Sequence, residues 1–208
     1  MRLRPALFAV AALACSASIA QAVPTASQIK TAFDALDASH NSAVNADEWN
    51  RASFALFHAA DKNNNNVIEQ DELTGGTITQ TTFLRADTDH DGRLSVAEFM
   101  ALRRALFLIA DIDRDDTLTF VEFELLILME QVGWTDSNRN GRIELSELRE
   151  SLLKAFEELD TDHDGQLTSA EATHMAADEF AKFDADHDGK LTSAEFAAGY
   201  RAALLGNN

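Results

Sequence analysis

Apolar and polar positions along this chain follow a repeat of about 24 residues. Seven polar segments of twelve residues begin 24, 26, 24, 25, 24 and 24 residues apart. The residue four positions before each segment is Phe33, Phe57, Phe83, Phe107, Val132, Phe156 and Phe180. The residue directly after each segment is Trp49, Leu73, Phe99, Phe123, Leu148, Ala172 and Phe196. Apolar residues at helical spacing on both sides of a polar loop predict a series of helix-loop-helix units.

The eighth position of every polar segment is apolar. These residues are Val44, Ile68, Leu94, Leu118, Ile143, Leu167 and Leu191. A single apolar side chain inside a polar loop needs a partner, so we expect each loop to make a short β-contact with another loop.

The connections between the loops are only 12, 14, 12, 13, 12 and 12 residues long. A stretch such as Val96 to Ala110 can form one helix of about 22 Å that ends one unit and starts the next. The predicted fold is therefore all-α, with helices shared between neighbouring loops. Consecutive loops would lie at opposite ends of each helix and could not pair directly. Gly75-Gly76 indicates a deliberate break, and Gly133 a weaker one.

The chain divides into a leader, 1–22, and one repeat region, 23–208. The seven loops occupy 37–48, 61–72, 87–98, 111–122, 136–147, 160–171 and 184–195.

The polar residues within the loops follow the pattern D-x-[DN]-x-[DN]-G-x5-E. Ca²⁺ takes six to eight oxygen ligands, and a twelve-residue loop can supply them from positions 1, 3, 5, 7, 9 and 12. Position 6 must turn sharply, which favours Gly, Asn or Asp. One copy of this pattern could arise by chance, but seven in phase indicate a calcium-binding repeat.

These residues resemble the EF-hand calcium-binding superfamily, in particular secreted bacterial proteins with several EF-hands. The third, fifth, sixth and seventh loops fit its pattern throughout. For the third loop, the resemblance implies ligands at Asp87, Asp89, Asp91, Arg93 (by its carbonyl) and Glu98. For the fifth, it implies Asp136, Asn138, Asn140, Arg142 and Glu147. For the sixth, it implies Asp160, Asp162, Asp164, Gln166 and Glu171. For the seventh, it implies Asp184, Asp186, Asp188, Lys190 and Glu195.

Three loops depart from the family pattern at the turn. The fourth keeps its implied ligands but carries Asp116 in place of Gly; these ligands are Asp111, Asp113, Asp115, Thr117 and Glu122. The second has Asn66 at the turn, and its implied ligands are Asp61, Asn63, Asn65, Val67 and Glu72. The first has Ser42 at the turn, and its implied ligands are Asp37, Ser39, Asn41 and Glu48. Between four and seven Ca²⁺ ions are therefore expected.

Two other interpretations apply to residues in the loops. Ser95, Thr119, Thr168 and Thr192 each precede a Glu by three residues, which is also the capping-box pattern that starts a helix. The Glu residues could then serve as caps alone, although a cap does not require Asp at positions 1, 3 and 5. The histidines at position 4 are expected to point into solvent rather than to bind transition metals; they are His40, His90, His163 and His187.

The charge of the chain agrees with a cation-binding role. It has 35 acidic and 17 basic residues, for a net charge of −18. This balance argues against binding to nucleic acid or to an anionic membrane surface, since both need a basic face. Positions 1, 3, 5 and 12 of the loops hold 22 of the acidic residues, so most of the acidity falls on candidate ligands.

The first 22 residues are typical of a cleaved signal peptide. Arg2 and Arg4 precede a short apolar run, and Ala20-Gln21-Ala22 forms a cleavage site. The run is too short to span a membrane as a helix. A rival interpretation makes Cys15 a lipid attachment site. Either interpretation predicts a periplasmic or secreted protein.

The sequence favours a calcium buffer, or a protein folded by calcium, over two alternatives. A calcium-dependent sensor that binds a partner protein would use a Met-rich surface, and only Met100, Met129 and Met175 follow the leader. We expect no enzymatic activity, because no cysteine or activated serine remains after the leader and the carboxylates are committed to the loops.

Overall fold

The computed structural model describes residues 23–73 and 78–206, and this part of the chain is mainly helical. The α-helices are α1 (Ala26–Leu36), α2 (Ala46–Ala60), α3 (Gln80–Ala86), α4 (Val96–Ala110), α5 (Phe120–Val132), α6 (Leu145–Leu159), α7 (Ala177–Phe183) and α8 (Ser193–Leu205). A short 3-10 helix spans Gln70–Leu73. The strands are β1 (Ala43–Asn45), β2 (Val67–Ile68), β3 (Leu94–Ser95), β4 (Thr117–Thr119), β5 (Gln166–Leu167) and β6 (Leu191–Thr192). The expected all-α series of helix-loop-helix units is confirmed. The predicted signal peptide, 1–22, lies outside the described residues.

Residues of the loops themselves start and stop the helices. At the starts of α2, α4, α5 and α8, the N-cap side chain accepts a hydrogen bond from the N–H of the Glu three residues later; the caps are Asn45, Ser95, Thr119 and Thr192. At the ends of six helices, the Asp that opens the next loop donates its N–H to the carbonyl of the preceding Phe at 2.9–3.0 Å. The capping-box prediction fails at Thr168, where a turn replaces an α-helix.

Three of the connections are single helices, as predicted. Each of α2, α4 and α6 runs unbroken from the end of one loop to the start of the next. The other three connections are broken. Breaks were expected in the first two, at Gly75-Gly76 and Gly133, and the expectation of a shared helix is wrong for the third. The first break precedes α3, and Gly75-Gly76 itself lies outside the described residues. The second is at Gly133, which adopts φ 86°. The third, between loop 6 and α7, contains no Gly or Pro.

Pairing of the loops follows these breaks. The loop pairs are antiparallel, β2 with β3, β5 with β6 and β1 with β4, and in each the two position-8 residues lie opposite one another. The prediction that consecutive loops cannot pair is therefore wrong for loops 2 and 3 and for loops 6 and 7, because the intervening break lets the chain fold back. Loops that share an unbroken helix do not pair. In the described residues, loop 5 forms no strand.

The hydrophobic core consists of three clusters that correspond to the loop pairs. Ile68 and Leu94 belong to one cluster, and Val44 and Leu118 to a second. The third contains the position-8 residues of loops 5, 6 and 7. Helix α5 is buried from Phe123 to Glu130 and contributes apolar side chains to the second and third clusters. It therefore joins the two halves of the core. None of the described helices is both long enough and apolar enough to cross a membrane.

A chain of buried polar side chains crosses the third cluster. The Tyr200 hydroxyl donates to Glu124 Oε1 at 3.1 Å and lies 3.1 Å from His174 Nε2. Burial, together with the nearby Glu179, raises the pKa of Glu124 well above its ordinary value. Burial also lowers the pKa of His174 from 6.5 to about 4. This histidine is therefore neutral in the folded protein at neutral pH.

The buried His174 predicts a loss of stability in acid. The unfolded chain takes up a proton near pH 6.5, whereas the folded protein resists protonation down to about pH 4. The stabilisation is complete above about pH 6.5 and is lost progressively as the pH falls from 6.5 to about 4. The loss of stability between pH 7.5 and pH 5 amounts to about 2 kcal/mol. The raised pKa of Glu124 acts in the opposite direction, so the test is a comparison of two proteins. Urea unfolding at both pH values should show the parent protein losing about 2 kcal/mol relative to His174→Phe. The exposed His90→Gln should behave like the parent; equal pH dependence of all three would contradict the assignment.

Candidate metal sites

The backbone of all seven loops adopts the same turn. Residues at positions 4 and 6 have positive φ in every loop. At position 6, four loops have glycine at φ 75–82°; the other three have Ser42, Asn66 and Asp116 at φ 62–68°. The histidines at position 4 are exposed, as expected. The departures from Gly therefore leave the loop geometry intact, at the cost of backbone strain.

The first Asp of each loop is turned inward by this geometry. In six loops its Oδ2 accepts a hydrogen bond from the N–H of position 6 at 2.8–3.1 Å. Six of these Asp side chains are also buried; they are Asp37, Asp61, Asp87, Asp111, Asp160 and Asp184. Asp136 of loop 5 is half-buried. A carboxylate held below the surface in this way is costly unless a cation or further donors compensate it.

The last Glu of each loop closes the ring. Its Oε2 accepts from the N–H of position 9 at 2.9–3.1 Å in all seven loops. Its Oε1 accepts from the N–H of position 2 or 3 at 2.8–3.1 Å. These bonds fix the orientation of the carboxylate toward the loop centre. The alternative of capping alone is thus incomplete, because the same Glu also reaches across the loop.

Four loops bring three carboxylates together. Oxygen atoms from positions 1, 3 and 12 lie within 4.8 Å of one another in loops 3, 4, 6 and 7. In loops 3 and 4, Oδ1 of Asp87 and of Asp111 is buried and accepts no hydrogen bond. Like charges this close repel one another, and the two buried oxygens lack a donor. A hard divalent cation fits both observations, since it would neutralise the cluster and fill the empty acceptor positions.

Loop 4 differs from loop 3 in its electrostatics. Burial, with added repulsion from neighbouring aspartates, raises the pKa of Asp111. Burial likewise raises the pKa of Glu122. In loop 3, the hydrogen bonds of Ser95 lower the pKa of Glu98 to about 2. Loop 4 therefore holds its negative charge less readily, although the structure places its carboxylates as closely as those of the other three loops.

Loops 2 and 5 carry Asn at positions 3 and 5 and Glu at position 9. Glu144 accepts hydrogen bonds from the side-chain amides of Asn138 and Asn140 at 2.9 and 3.0 Å. Glu69 accepts the equivalent bonds from Asn63 and Asn65 at 3.3 and 3.4 Å. Each loop thus regains a carboxylate facing positions 3 and 5. The sequence prediction missed Glu69 and Glu144, although Glu occurs at position 9 only where Asn replaces both aspartates.

Loop 1 has the fewest carboxylates at ligand positions, with Asp37 and Glu48 alone at positions 1, 3, 5, 9 and 12. Ser39 donates its hydroxyl to Asp37 Oδ1 at 3.2 Å, and Asn41 donates its N–H to the same oxygen at 3.1 Å. Burial acts to raise the pKa of Asp37, but the hydrogen bonds from Ser42, Asn41 and Ser39 outweigh it and leave the pKa below its ordinary value. Hydrogen-bond donors within the loop therefore satisfy much of the Asp37 carboxylate.

Basic side chains of one loop reach acidic side chains of another. Lys190 Nζ lies 2.9 Å from Asp164 Oδ2, between loops 7 and 6. Arg93 lies 3.4 Å from Glu69, between loops 3 and 2. Both basic residues occupy position 7, where the family uses the backbone carbonyl and leaves the side chain free. Each tethered cation would compete with a metal ion for its carboxylate.

Strain at Asp116 predicts a stabilising substitution. Asp116→Gly should raise the free energy of unfolding by about 1 kcal/mol, because Gly adopts positive φ without a steric penalty. Urea denaturation in a chelator measures the change, and Asp116→Asn separates the loss of charge from the relief of strain. Gly92→Asp should lower the free energy of unfolding by a similar amount, because the φ of this position is 77°. No atom lies within 4 Å of an added Cβ, so the loss would come from backbone strain and not from a steric clash. An unchanged free energy of unfolding in both variants would contradict the assignment of backbone strain to position 6.

Competition by Lys190 predicts tighter metal binding when it is removed. Lys190→Met should raise the calcium affinity of the loop 6 and loop 7 pair about twofold to fivefold at low salt, and less at high salt. Calorimetric titration provides the measurement. Lys182→Met is the matched control, since it removes the same charge from a lysine that pairs with Asp178 outside the loops. An equal increase in both variants would attribute the effect to net charge alone.

Comparison with known families agrees with this geometry. A model described as an EF-hand domain pair matches residues 134–201, and a model described as an EF hand matches residues 79–102. A search of curated proteins returns no match. The matched segments cover loops 5, 6 and 7 and loop 3, whose turns all contain glycine. Together with the acidic clusters, these matches support calcium binding. The matched segments, which hold loops 3, 5, 6 and 7, belong to the EF-hand calcium-binding superfamily.

Proposed function

We propose that this protein binds several Ca²⁺ ions outside the cytoplasm and either buffers the ion or is folded by it. The observation that carries the proposal is the convergence of three carboxylates within 4.8 Å in each of four loops. The other three loops share the backbone turn of these four, so we include them as weaker candidate sites. The number of ions then lies between four and seven.

The ligand sets follow the loop chemistry. Loops 3, 4, 6 and 7 offer Asp at positions 1, 3 and 5 and Glu at position 12. Loops 2 and 5 offer one Asp, two Asn amide oxygens and Glu at positions 9 and 12. The Asn side chains would turn to present their oxygens once an ion replaces their bonds to Glu69 and Glu144. Loop 1 has only two carboxylates at its ligand positions, so we assign it the weakest affinity.

Calcium binding and folding are expected to be coupled. Each site is made of residues that also end one helix and begin the next, so the same hydrogen bonds hold both. At a net charge of −18, repulsion among the clustered carboxylates opposes the compact state. A bound cation relieves this repulsion only when the loop is formed. Its binding free energy therefore adds to the free energy of folding.

The proposed location is the periplasm or the extracellular space. It rests on the signal-peptide pattern in 1–22; lipid attachment at Cys15 is the alternative. Extracellular modules of this kind bind calcium at roughly 10⁻⁴ to 10⁻³ M, which suits a calcium-rich surrounding. Comparing the mass of the protein recovered from the periplasm with that of the full chain tests cleavage after Ala22.

A calcium buffer, or a protein folded by calcium, is favoured over a sensor that exposes a Met-rich surface. Met129 and Met175 are buried, and Met100 is half-buried. The described methionines thus form part of the core. The loops use their carboxylates as a closed ligand set and leave no open position for chemistry. A dye that reports exposed apolar surface would favour the sensor if its signal rose on addition of calcium.

Removal of calcium tests the coupling directly. We expect chelator to lower both the melting temperature and the helical circular dichroism of the purified chain, and millimolar calcium to restore them. Magnesium at the same concentration is the control. It gives the same ionic strength, but it demands a stricter octahedral geometry and should bind these loops less well. Unchanged melting in chelator and in calcium would reject coupled folding.

Single-loop variants test the ligand assignment. Glu98→Gln removes the closing carboxylate of loop 3, so calorimetry should detect one fewer tight site. Glu157→Gln is the matched control, since Glu157 is exposed on α6 and lies outside the loops. If the two variants bind the same number of ions with the same affinity as the parent, Glu98 is not a ligand.

A further inference from the structure

Helices α2 and α4 each join two loops that belong to different loop pairs. Helix α2 runs from loop 1 to loop 2, and α4 runs from loop 3 to loop 4. Loop 1 pairs with loop 4 and loop 2 with loop 3, so both helices extend between the same two loop pairs, in opposite directions. Each helix has 15 residues and is therefore about 22 Å long. We call this closed arrangement of loops 1 to 4 with α2 and α4 the four-loop frame.

Each helix of the frame carries candidate metal ligands at both of its ends. Glu48 lies in the first turn of α2, and Asp61 caps its last turn. Glu98 and Asp111 have the equivalent places on α4. A ligand of one loop pair and a ligand of the other pair are thus fixed to the same helix. Because an isolated helix of this length is only marginally stable, an ion that orders one end of it favours order at the other end.

Aromatic rings connect α2 with α4 beside each loop pair. The ring centroids of Trp49 and Phe107 lie 5.9 Å apart near loops 1 and 4. Those of Phe57 and Phe99 lie 5.7 Å apart near loops 2 and 3. Trp49 and Phe99 directly follow the last Glu of their loops. The carbonyls of Phe57 and Phe107 accept the N–H of the Asp that opens the next loop. A shift of either ligand therefore displaces a ring that packs on the other helix.

A buried cross-link joins the middle residues of the two helices, Ser53 and Arg103. Arg103 Nε donates to Ser53 Oγ at 3.0 Å, and the guanidinium carbon lies 4.0 Å from the centroid of the Trp49 ring. Trp49 Nε1 donates to the carbonyl of Arg103 at 2.8 Å, and Ser53 Oγ donates to the carbonyl of Trp49 at 2.8 Å. All three residues are at most 1% exposed. Since buried hydrogen bonds are costly to break, α2 and α4 are expected to move as one unit.

We propose that the four-loop frame couples calcium binding in the pair of loops 1 and 4 to calcium binding in the pair of loops 2 and 3, with Arg103 holding the two helices together. This coupling rests on the proposed calcium binding, and it acts between loops that make no β-contact with each other. Binding at one pair orders the helix ends there, which lowers the entropy that the other pair must lose when it binds. The coupling is therefore positive.

Direct electrostatic interaction between the two ends of the frame does not explain a positive coupling. Two cations repel one another, so their interaction has the opposite sign. It is also largely screened over about 22 Å, because the Debye length at physiological salt is about 8 Å. A positive coupling that persists at high salt is thus specific to the helices.

The test measures the calcium midpoint of loop 3, the calcium concentration that gives half of the shift of the Gly92 amide resonance. Gly92 is a local reporter, because its N–H donates to Asp87. Glu48→Gln with Glu122→Gln removes the closing carboxylates of loops 1 and 4 at the far end of the frame. This variant should raise the Gly92 midpoint about fivefold or more. The rise should persist at about 0.5 M salt, where charge effects at this distance are screened.

Glu171→Gln with Glu195→Gln is the matched control. It makes the same change in loops 6 and 7, which pair with each other outside the frame. It should raise the Gly92 midpoint less than about twofold. An equal rise in both variants would attribute the effect to overall charge or to the stability of the whole chain.

The cross-link is tested by the ratio of the Gly92 midpoints without and with the closing carboxylates of loops 1 and 4. Arg103→Met should bring this ratio from about fivefold toward one. A residue that only stabilises the fold would shift both midpoints together and leave the ratio unchanged. Ser53→Ala removes the acceptor of Arg103 Nε with little change in volume, so it tests the cross-link even if Arg103→Met folds poorly. Arg104→Met is the matched control, since it makes the same charge change at the exposed neighbouring position of α4 and should keep the full ratio.

The outcomes separate the coupling from calcium binding itself. A Gly92 midpoint that is the same with and without the closing carboxylates of loops 1 and 4 would overturn the coupling while calcium binding stands. The same ratio in the parent, Arg103→Met and Ser53→Ala would overturn the role of the cross-link. A Gly92 amide that does not move in the parent protein would contradict calcium binding by loop 3, and the coupling with it. Circular dichroism checks the fold of each variant.

Discussion

The structure depends on one pair of carboxylates in each loop, the Asp at the first position and the Glu at the last. Their backbone groups lie at helix ends. Asp stops the preceding helix in every loop but loop 5, and Glu belongs to the first turn of the next α-helix except after loops 2 and 6. Their side chains point into the loop and are held there by backbone N–H groups. Secondary structure and metal site are therefore made by the same residues. A change in the charge balance of a loop must act on the helices that it joins.

The sequence predicted the local structure well because the determining interactions lie within a few residues. The stretch Val96 to Ala110 forms the single helix that was expected, and Gly133 ends α5 where a break was expected. The break before α7 was missed, since no Gly or Pro marks it. Instead, burial of His174 and Met175 holds the chain in a turn there. Tertiary packing, not local propensity, sets this boundary.

Loop pairing was harder to predict because it depends on distant contacts. Loop 1 pairs with loop 4, and this pairing requires α1 to pack in the same apolar cluster as α5. Nothing in the spacing of the repeat specifies that partner. An odd number of loops also leaves loop 5 without a strand in the described residues, yet its Ile143 is buried in the cluster of loops 6 and 7. Within the sites, positions 1, 3 and 12 converge as the motif requires in four loops, whereas the Asp at position 5 is not part of these clusters. The role of Glu69 and Glu144 appears only when their bonds to asparagine side chains are visible.

The central claim is that a divalent ion sits among the carboxylates of the loops. Nuclear magnetic resonance of the glycine amides tests it most directly. Gly92, Gly141, Gly165 and Gly189 each donate their N–H to the first Asp of a loop, whereas Gly133 and Gly206 donate to backbone carbonyls. Addition of calcium should shift the first four amide resonances strongly and leave the other two nearly unchanged. If none of the four moves at millimolar calcium while the protein stays folded, the loops do not bind the ion.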